Sequence, residues 1–204
     1  METEEIKNKL YELGSVFTTS AAKKVGITSY TLNKLKCSED IVEVGTGAAG
    51  SKMWSNQDFV FDRRVFIQKK YPDVVFSGQS ALIWWGLIDR QPEFIDVTIP
   101  QGQNNKGLNQ LKNVTVHHIG EKYYGIGLME VDTPDYGAKL KVYDPERALI
   151  DVWRFENASS EWDRREAVYN YFQSDYKNSD KLFSYIKRFP GLMKLRALSE
   201  ILNN

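Results

Sequence analysis

The chain has 204 residues, of which 42% are hydrophobic and 13% aromatic, with 27 Lys or Arg balanced by 27 Asp or Glu. That is enough apolar material for a packed core and excludes a disordered chain. A formal net charge of zero excludes a protein that coats nucleic acid over its whole surface, so any nucleic-acid site must be a local patch. The lone cysteine, Cys37, excludes a disulfide framework and a Cys-rich zinc site. The two histidines, His117 and His118, are adjacent, so an imidazole-built metal cluster is not expected, and neither is a cofactor. The acidic start Met1-Glu2-Thr3-Glu4-Glu5 is unlike a signal peptide. The longest apolar run, Ala81 to Ile88, is interrupted by Gly86 and falls far short of the roughly 20 residues that cross a bilayer. A cytoplasmic protein with no membrane partner is expected.

In chain order, Ile6, Leu10, Leu13 and Phe17 recur at helical spacing and predict a first helix ending near Gly14. Thr18 or Thr19 then caps a short second helix through Val25. Gly26-Ile27 turns the chain, and Thr28 caps a third helix that carries Leu32 and Leu35 inward. The β-branched run Ile41-Val42-Glu43-Val44 leads into Gly45-Thr46-Gly47-Ala48-Ala49-Gly50-Ser51 and returns through Met53-Trp54, which predicts a hairpin with a glycine-rich tip. Three helices followed by a hairpin is the order of a winged helix-turn-helix.

Residues 56 to 70 have a helical pattern, broken at Tyr71-Pro72-Asp73. Val74-Val75-Phe76 is short and apolar, and Ser77 is placed to cap an apolar helix through Leu87. Strands are predicted at Phe94 to Ile99, Val114 to Ile119, Leu128 to Val131 and Ala138 to Tyr143. Asp144-Pro145-Glu146 then opens a helix with Asp as the cap, Pro at the first helical position and an acid in the first turn. From Glu161 the pattern is helical, with breaks at Asn178-Ser179 and Pro190-Gly191. The expected fold is α+β: a winged helix-turn-helix over 1–55, a connecting helix or linker over 56–71, and over 72–204 a mixed α/β domain with a small sheet and C-terminal helices.

A helix-turn-helix needs a small residue where two helices cross and a glycine in the turn, because only glycine adopts positive φ freely. Ala22 and Gly26 fill those places, with Ala21, Val25, Ile27, Leu32 and Leu35 apolar around them. The third helix leaves Ser29, Tyr30, Asn33, Lys34 and Lys36 facing outward, side chains able to reach phosphates or base edges in a major groove. From Leu13 to Ser38 there are four lysines and no carboxylate. The candidate DNA-contacting set is therefore Thr19, Lys23, Lys24, Thr28, Ser29, Tyr30, Asn33, Lys34, Lys36 and Lys52. Between Gly45 and Ser51 the hairpin carries no cation. The competing reading is a protein-interaction module whose winged helix no longer binds DNA.

The segment Gly14 to Thr19 followed by Ala21 to Leu32 resembles the N-terminal winged helix of AbiEi-type antitoxins. The resemblance continues through Tyr71-Pro72-Asp73, Phe76 to Leu82, Trp85-Gly86-Leu87, Val97 to Pro100, and Val142 to Arg147 with Asp151 one helical turn on. It implies a transcriptional autorepressor that binds double-stranded DNA at its own promoter, as two copies on inverted repeats. It further implies the antitoxin of a type IV toxin-antitoxin (abortive infection, phage resistance) system, countering a co-encoded nucleotidyltransferase-like toxin without a stable complex. Family hairpins are commonly basic; the stretch Gly45-Thr46-Gly47-Ala48-Ala49 departs from that pattern.

An enzyme is not expected. Ser77-Gly78 and Asp96 imitate the outline of a nucleotidyltransferase core, but Thr98 stands where a second Mg²⁺-binding carboxylate is required. His117 and His118 alternate along a strand and so point to opposite faces. Arg147 and Asp151 have the i, i+4 spacing of a helix-stabilising ion pair.

Overall fold

A computed structural model of the chain describes residues 2–47, 50–90, 93–103, 105–135, 137–155 and 159–203. They divide into two compact units, one made of residues 1–74 with 130–140, the other of 75–129 with 141–204. Both units mix helices and sheet. The first runs on past residue 55 to Val74, so it includes the stretch 56–71 read from sequence as a connector.

In the first unit the order is α1 (Glu2–Leu13), β1 (Val16–Thr18), α2 (Thr19–Lys24), α3 (Ser29–Cys37), β2 (Ile41–Thr46), β3 (Lys52–Asn56) and α4 (Arg63–Lys70). The strands form an antiparallel sheet in the order β1-β3-β2. Phe17 belongs to β1 and not, as its spacing suggested, to the first helix: Gly14 at φ +74 ends α1 and turns the chain into the strand. Leu10, Leu13, Phe17, Ala22, Ile27, Leu32, Ile41 and Trp54 make one buried cluster between helices and sheet. Fully burying a side chain such as Leu32 stabilises a fold by about 1.5–3 kcal/mol. The expected helix over 56–70 begins only at Arg63, where Asp62 caps it through a 2.8 Å bond from the Arg64 N–H.

Residues 130–140 are held within this unit by polar contacts. Asp135 accepts hydrogen bonds from the Ser15 N–H at 2.7 Å and the Ser15 hydroxyl at 2.5 Å. Lys69 donates to the Val16 carbonyl, and burial pulls its ammonium below the usual lysine range while Asp135 pulls the other way.

The second sheet has five strands in the order β6-β5-β4-β8-β7, made of β4 (Val75–Phe76), β5 (Ile95–Pro100), β6 (Val114–Ile119), β7 (Leu128–Asp132) and β8 (Lys139–Tyr143). β4 pairs antiparallel with β5 and parallel with β8, and β5 pairs parallel with β6, so the sheet is mixed. The helices of this unit are α5 (Gly78–Trp84), the short α6 (Lys106–Asn109) and α7 (Glu121–Tyr124), then α8 (Pro145–Arg154), α9 (Glu161–Gln173), α10 (Ser179–Arg188) and α11 (Met193–Leu202). Asp144 caps α8 as its sequence requires, accepting from the Arg147 N–H at 2.7 Å. Helices α5, α9 and α10 all pack against α8, and every residue from Pro145 to Trp153 is buried.

A helix covered on all sides is ordinarily apolar throughout; α8 instead carries Glu146, Arg147 and Asp151 inside. Arg147 donates from Nε to Asp151 at 2.9 Å and from Nη1 to the carbonyls of Tyr123 and Ile126 at 2.7 and 2.9 Å. Its guanidinium lies over the rings of Tyr143 and Phe189. Tyr171 donates to Glu146 at 2.9 Å and Tyr185 to Asp144 at 3.0 Å, while Lys181 sits 3.0 Å from the Glu146 carboxylate and 3.1 Å from that of Asp144. Among the described residues no helix is long and apolar enough to cross a membrane.

Candidate nucleic-acid interface

Threonine caps fix the two helices that carry the candidate interface. Thr18 accepts from the Ala21 N–H and Thr28 from the Thr31 N–H, each at 3.1 Å, satisfying donors that a helix start leaves open. Between the helices Gly26 sits at φ +83, and the Ile27 N–H returns to the Ala22 carbonyl at 2.9 Å. Ala22 has no exposed surface, as a close helix approach demands.

That geometry sorts the predicted residues into three groups. Lys23, Lys24, Ser29, Tyr30, Asn33 and Lys34 are exposed, Tyr30 by 80%. Lys23, Lys24 and Lys34 make no ion pair among the described residues. Lys36 and Lys52 are exposed but share one counter-ion, Glu43, at 3.3 and 3.0 Å. Both ammonium groups also lie just under 6 Å from the centre of the Trp54 ring. The lysines, Lys52 first, hold the Glu43 carboxyl below the usual range. Thr19 and Thr28 are occupied within the fold: Thr19 accepts from the Trp54 indole N–H at 2.9 Å, and Thr28 is the cap of α3.

The hairpin is joined to the start of α2 through Ser51, whose hydroxyl accepts from the Ser20 N–H at 3.3 Å and lies 3.1 Å from the Ser20 hydroxyl. Its strands shift register between Glu43 and Gly45, a bulge that increases local twist. Gly45 there has φ +144. The tip residues Ala48 and Ala49 lie outside the described residues. Nothing in the sequence announced Glu43 as the partner of two lysines, because the pairing depends on the bulged register of β2 against β3.

In the second unit, the residues that imitate a nucleotidyltransferase core are turned to internal structure. Ser77 stands at the start of α5 without capping it; its hydroxyl accepts instead from Thr98 at 2.8 Å. Asp96 accepts from the Gln79 N–H at 3.1 Å and faces His117 Nε2 at 3.3 Å. Gly78 has φ +51, and a Cβ there would lie 2.9 Å from the Asp96 carboxylate, so this close approach requires glycine. His117 stacks on Phe155 at 4.1 Å while His118 is exposed, the alternation that a strand imposes. Among the described residues no group of His, Cys, Asp and Glu is placed to hold a metal ion.

No protein-family model matches the chain. No curated protein matches it. Among solved structures, the crystal structure of the RV2827C protein from Mycobacterium tuberculosis is similar, with a TM-score of 0.59 and 15% identity over 91% of this chain and 70% of that one. At that identity the likeness is one of fold.

Proposed function

We propose that the first unit is a winged helix-turn-helix that binds double-stranded DNA, and that the chain is a transcriptional autorepressor. The observation that carries the reading is the exposed, acid-free lysine surface of α2 and α3, where Lys23, Lys24 and Lys34 have no carboxylate partner among the described residues. The element order α1-β1-α2-α3-β2-β3 with the sheet β1-β3-β2 supports it. In this reading lysines meet phosphates and supply salt-dependent affinity. Ser29, Tyr30, Asn33 and Lys34 on α3 reach base edges and supply specificity. The resemblance to AbiEi-type antitoxins adds a role for the whole chain, opposing a nucleotidyltransferase-like toxin encoded beside it.

The test is a titration of the purified chain against its own upstream DNA and a scrambled duplex at two salt concentrations. Tighter binding upstream, weakening as salt rises, is expected; equal and weak binding to both overturns the repressor reading. Co-expression with the adjacent toxin tests the antitoxin role, which fails if growth is not restored. One observation favours a protein-interaction module instead: Glu43 already pairs with Lys36 of α3 and Lys52 of the hairpin.

A further inference from the structure

Helix α9 is aromatic on two opposite faces. Ala167, Val168, Tyr171 and Phe172 lie in the core, at the spacing of one helical face. On the other side Trp162 is 70% and Tyr169 55% exposed. Between those two rings stand Arg165, also exposed, and the half-buried Glu166. Positions 162, 165, 166 and 169 form one stripe, the i, i+3, i+4, i+7 pattern of a helix seam. Trp, Tyr and Arg are the side chains that dominate protein interfaces, and Trp162, Tyr169 and Arg165 all lie outside the core face of α9.

The order along the stripe is aromatic, cation, anion, aromatic, and it reads as its own complement when reversed. We propose that this stripe is the contact surface for a second copy of the chain, the two α9 helices lying antiparallel about a twofold axis between Arg165 and Glu166. That one register places Trp162 opposite Tyr169 of the second copy and Arg165 opposite Glu166 of the second copy, twice over. A twofold contact must be self-complementary in this sense. Arg165 is at present held by Glu161 at 2.7 Å, but an exposed i, i+4 pair is weak and yields readily to a neighbouring carboxylate. Two turns of helix bury less than the roughly 1,200 Å² of a standard interface, so the dimer is weak and reversible. Bound side by side on DNA, two copies would gain from it as linked modules do, yet the surface does not depend on the DNA-binding reading.

Sedimentation of the full chain without DNA, from about 1 to 500 µM, tests it. A reversible dimer is expected in the upper part of that range, lost in Trp162→Ala and in Arg165→Glu, which sets acid against acid. The double variant Arg165→Glu, Glu166→Arg restores the opposed charges and should return the dimer. Circular dichroism confirms that each variant is folded, the replaced side chains being outside the core. A wild-type monomer at every concentration overturns the proposal. So does a dimer that survives Trp162→Ala, or a double swap that stays monomeric while folded.

Discussion

In the first unit the lysines of α2 and α3 stand in solvent, whereas in the second unit α8 carries Glu146, Arg147 and Asp151 into the core. The exposed cations cost the fold little and hold little of it together, which leaves them available to a ligand. The buried charges are committed within the fold, Arg147 to Asp151 and backbone carbonyls and Glu146 to Tyr171 and Lys181, and this geometry fixes how α8 sits among β8, α9 and α10. Charge placement thus separates a solvent-exposed cationic surface from an internal framework, and each kind should respond differently to substitution, pH and salt.

The largest effect is expected at the Arg147–Asp151 pair, where both side chains are 0% exposed. Asp151→Ala leaves a guanidinium buried without its counter-ion and should cost about 3–5 kcal/mol, as breaking buried pairs does. Arg147→Met with Asp151→Leu should recover part of that loss. Urea unfolding measures both, and a loss under about 1 kcal/mol for the single variant, the scale of an exposed pair, would put the pair on a par with the surface ones. Gly127→Ala should follow in size. Gly127 has φ +78, and a Cβ there would come within 2.7 Å of the Arg147 Cβ and 2.8 Å of an Asp144 oxygen. Loss of more than about 1 kcal/mol is expected where both backbone and space refuse a side chain.

Alkaline pH sharpens the contrast without mutation. Burial and the Asp144 carboxylate push the Tyr185 hydroxyl up to about 12. Burial likewise raises Tyr143 and Tyr171. Burial opposes protonation of Lys181, but Glu146 and Asp144 outweigh it and hold its ammonium above the usual range. In each case the folded state binds its proton more tightly than the unfolded state, so stability falls as pH rises from about 10 through the folded values. Tyr185→Phe should flatten that fall, read as the urea midpoint against pH. An unchanged slope would remove Tyr185 from the titrating set.

Much of the framework was legible because its signals are local. Thr18 and Thr28 as caps, Gly26 as the turn and Asp144-Pro145 as a helix start need only a few neighbouring residues to be recognised. The three-residue β1 was not legible, since Val16-Phe17-Thr18 is too short for alternation to compete with the helical spacing before it. The four-residue helices α6 and α7 were not legible for the same reason, being too short to show a period. The i, i+4 spacing of Arg147 and Asp151 was visible, but their burial was not, because the covering helices arrive from distant sequence. The stripe on α9 escaped notice since its aromatic residues merge in sequence with those of the core face.

The smallest predicted effect is also the most informative about the candidate interface. Glu43 is shared by Lys36 and Lys52, so a phosphate approaching either lysine competes with it. Glu43→Gln keeps the shape and removes the charge. If the lysines meet DNA, the variant should bind upstream DNA several-fold more tightly. Its salt dependence should also steepen, by about 0.9 in log–log slope for each lysine newly available to a phosphate. Lys34→Ala should do the reverse, weakening binding and making the slope shallower by about 0.9, because Lys34 has no carboxylate partner among the described residues. Fluorescence anisotropy at several salt concentrations reads all three proteins. If Glu43→Gln binds no better while Lys34→Ala binds worse, the interface is confined to α2 and α3 and the hairpin stands clear of the DNA. If Glu43→Gln instead binds less well, Glu43 serves to position Lys36 and Lys52 over Trp54, and the carboxylate is part of the contact surface's geometry.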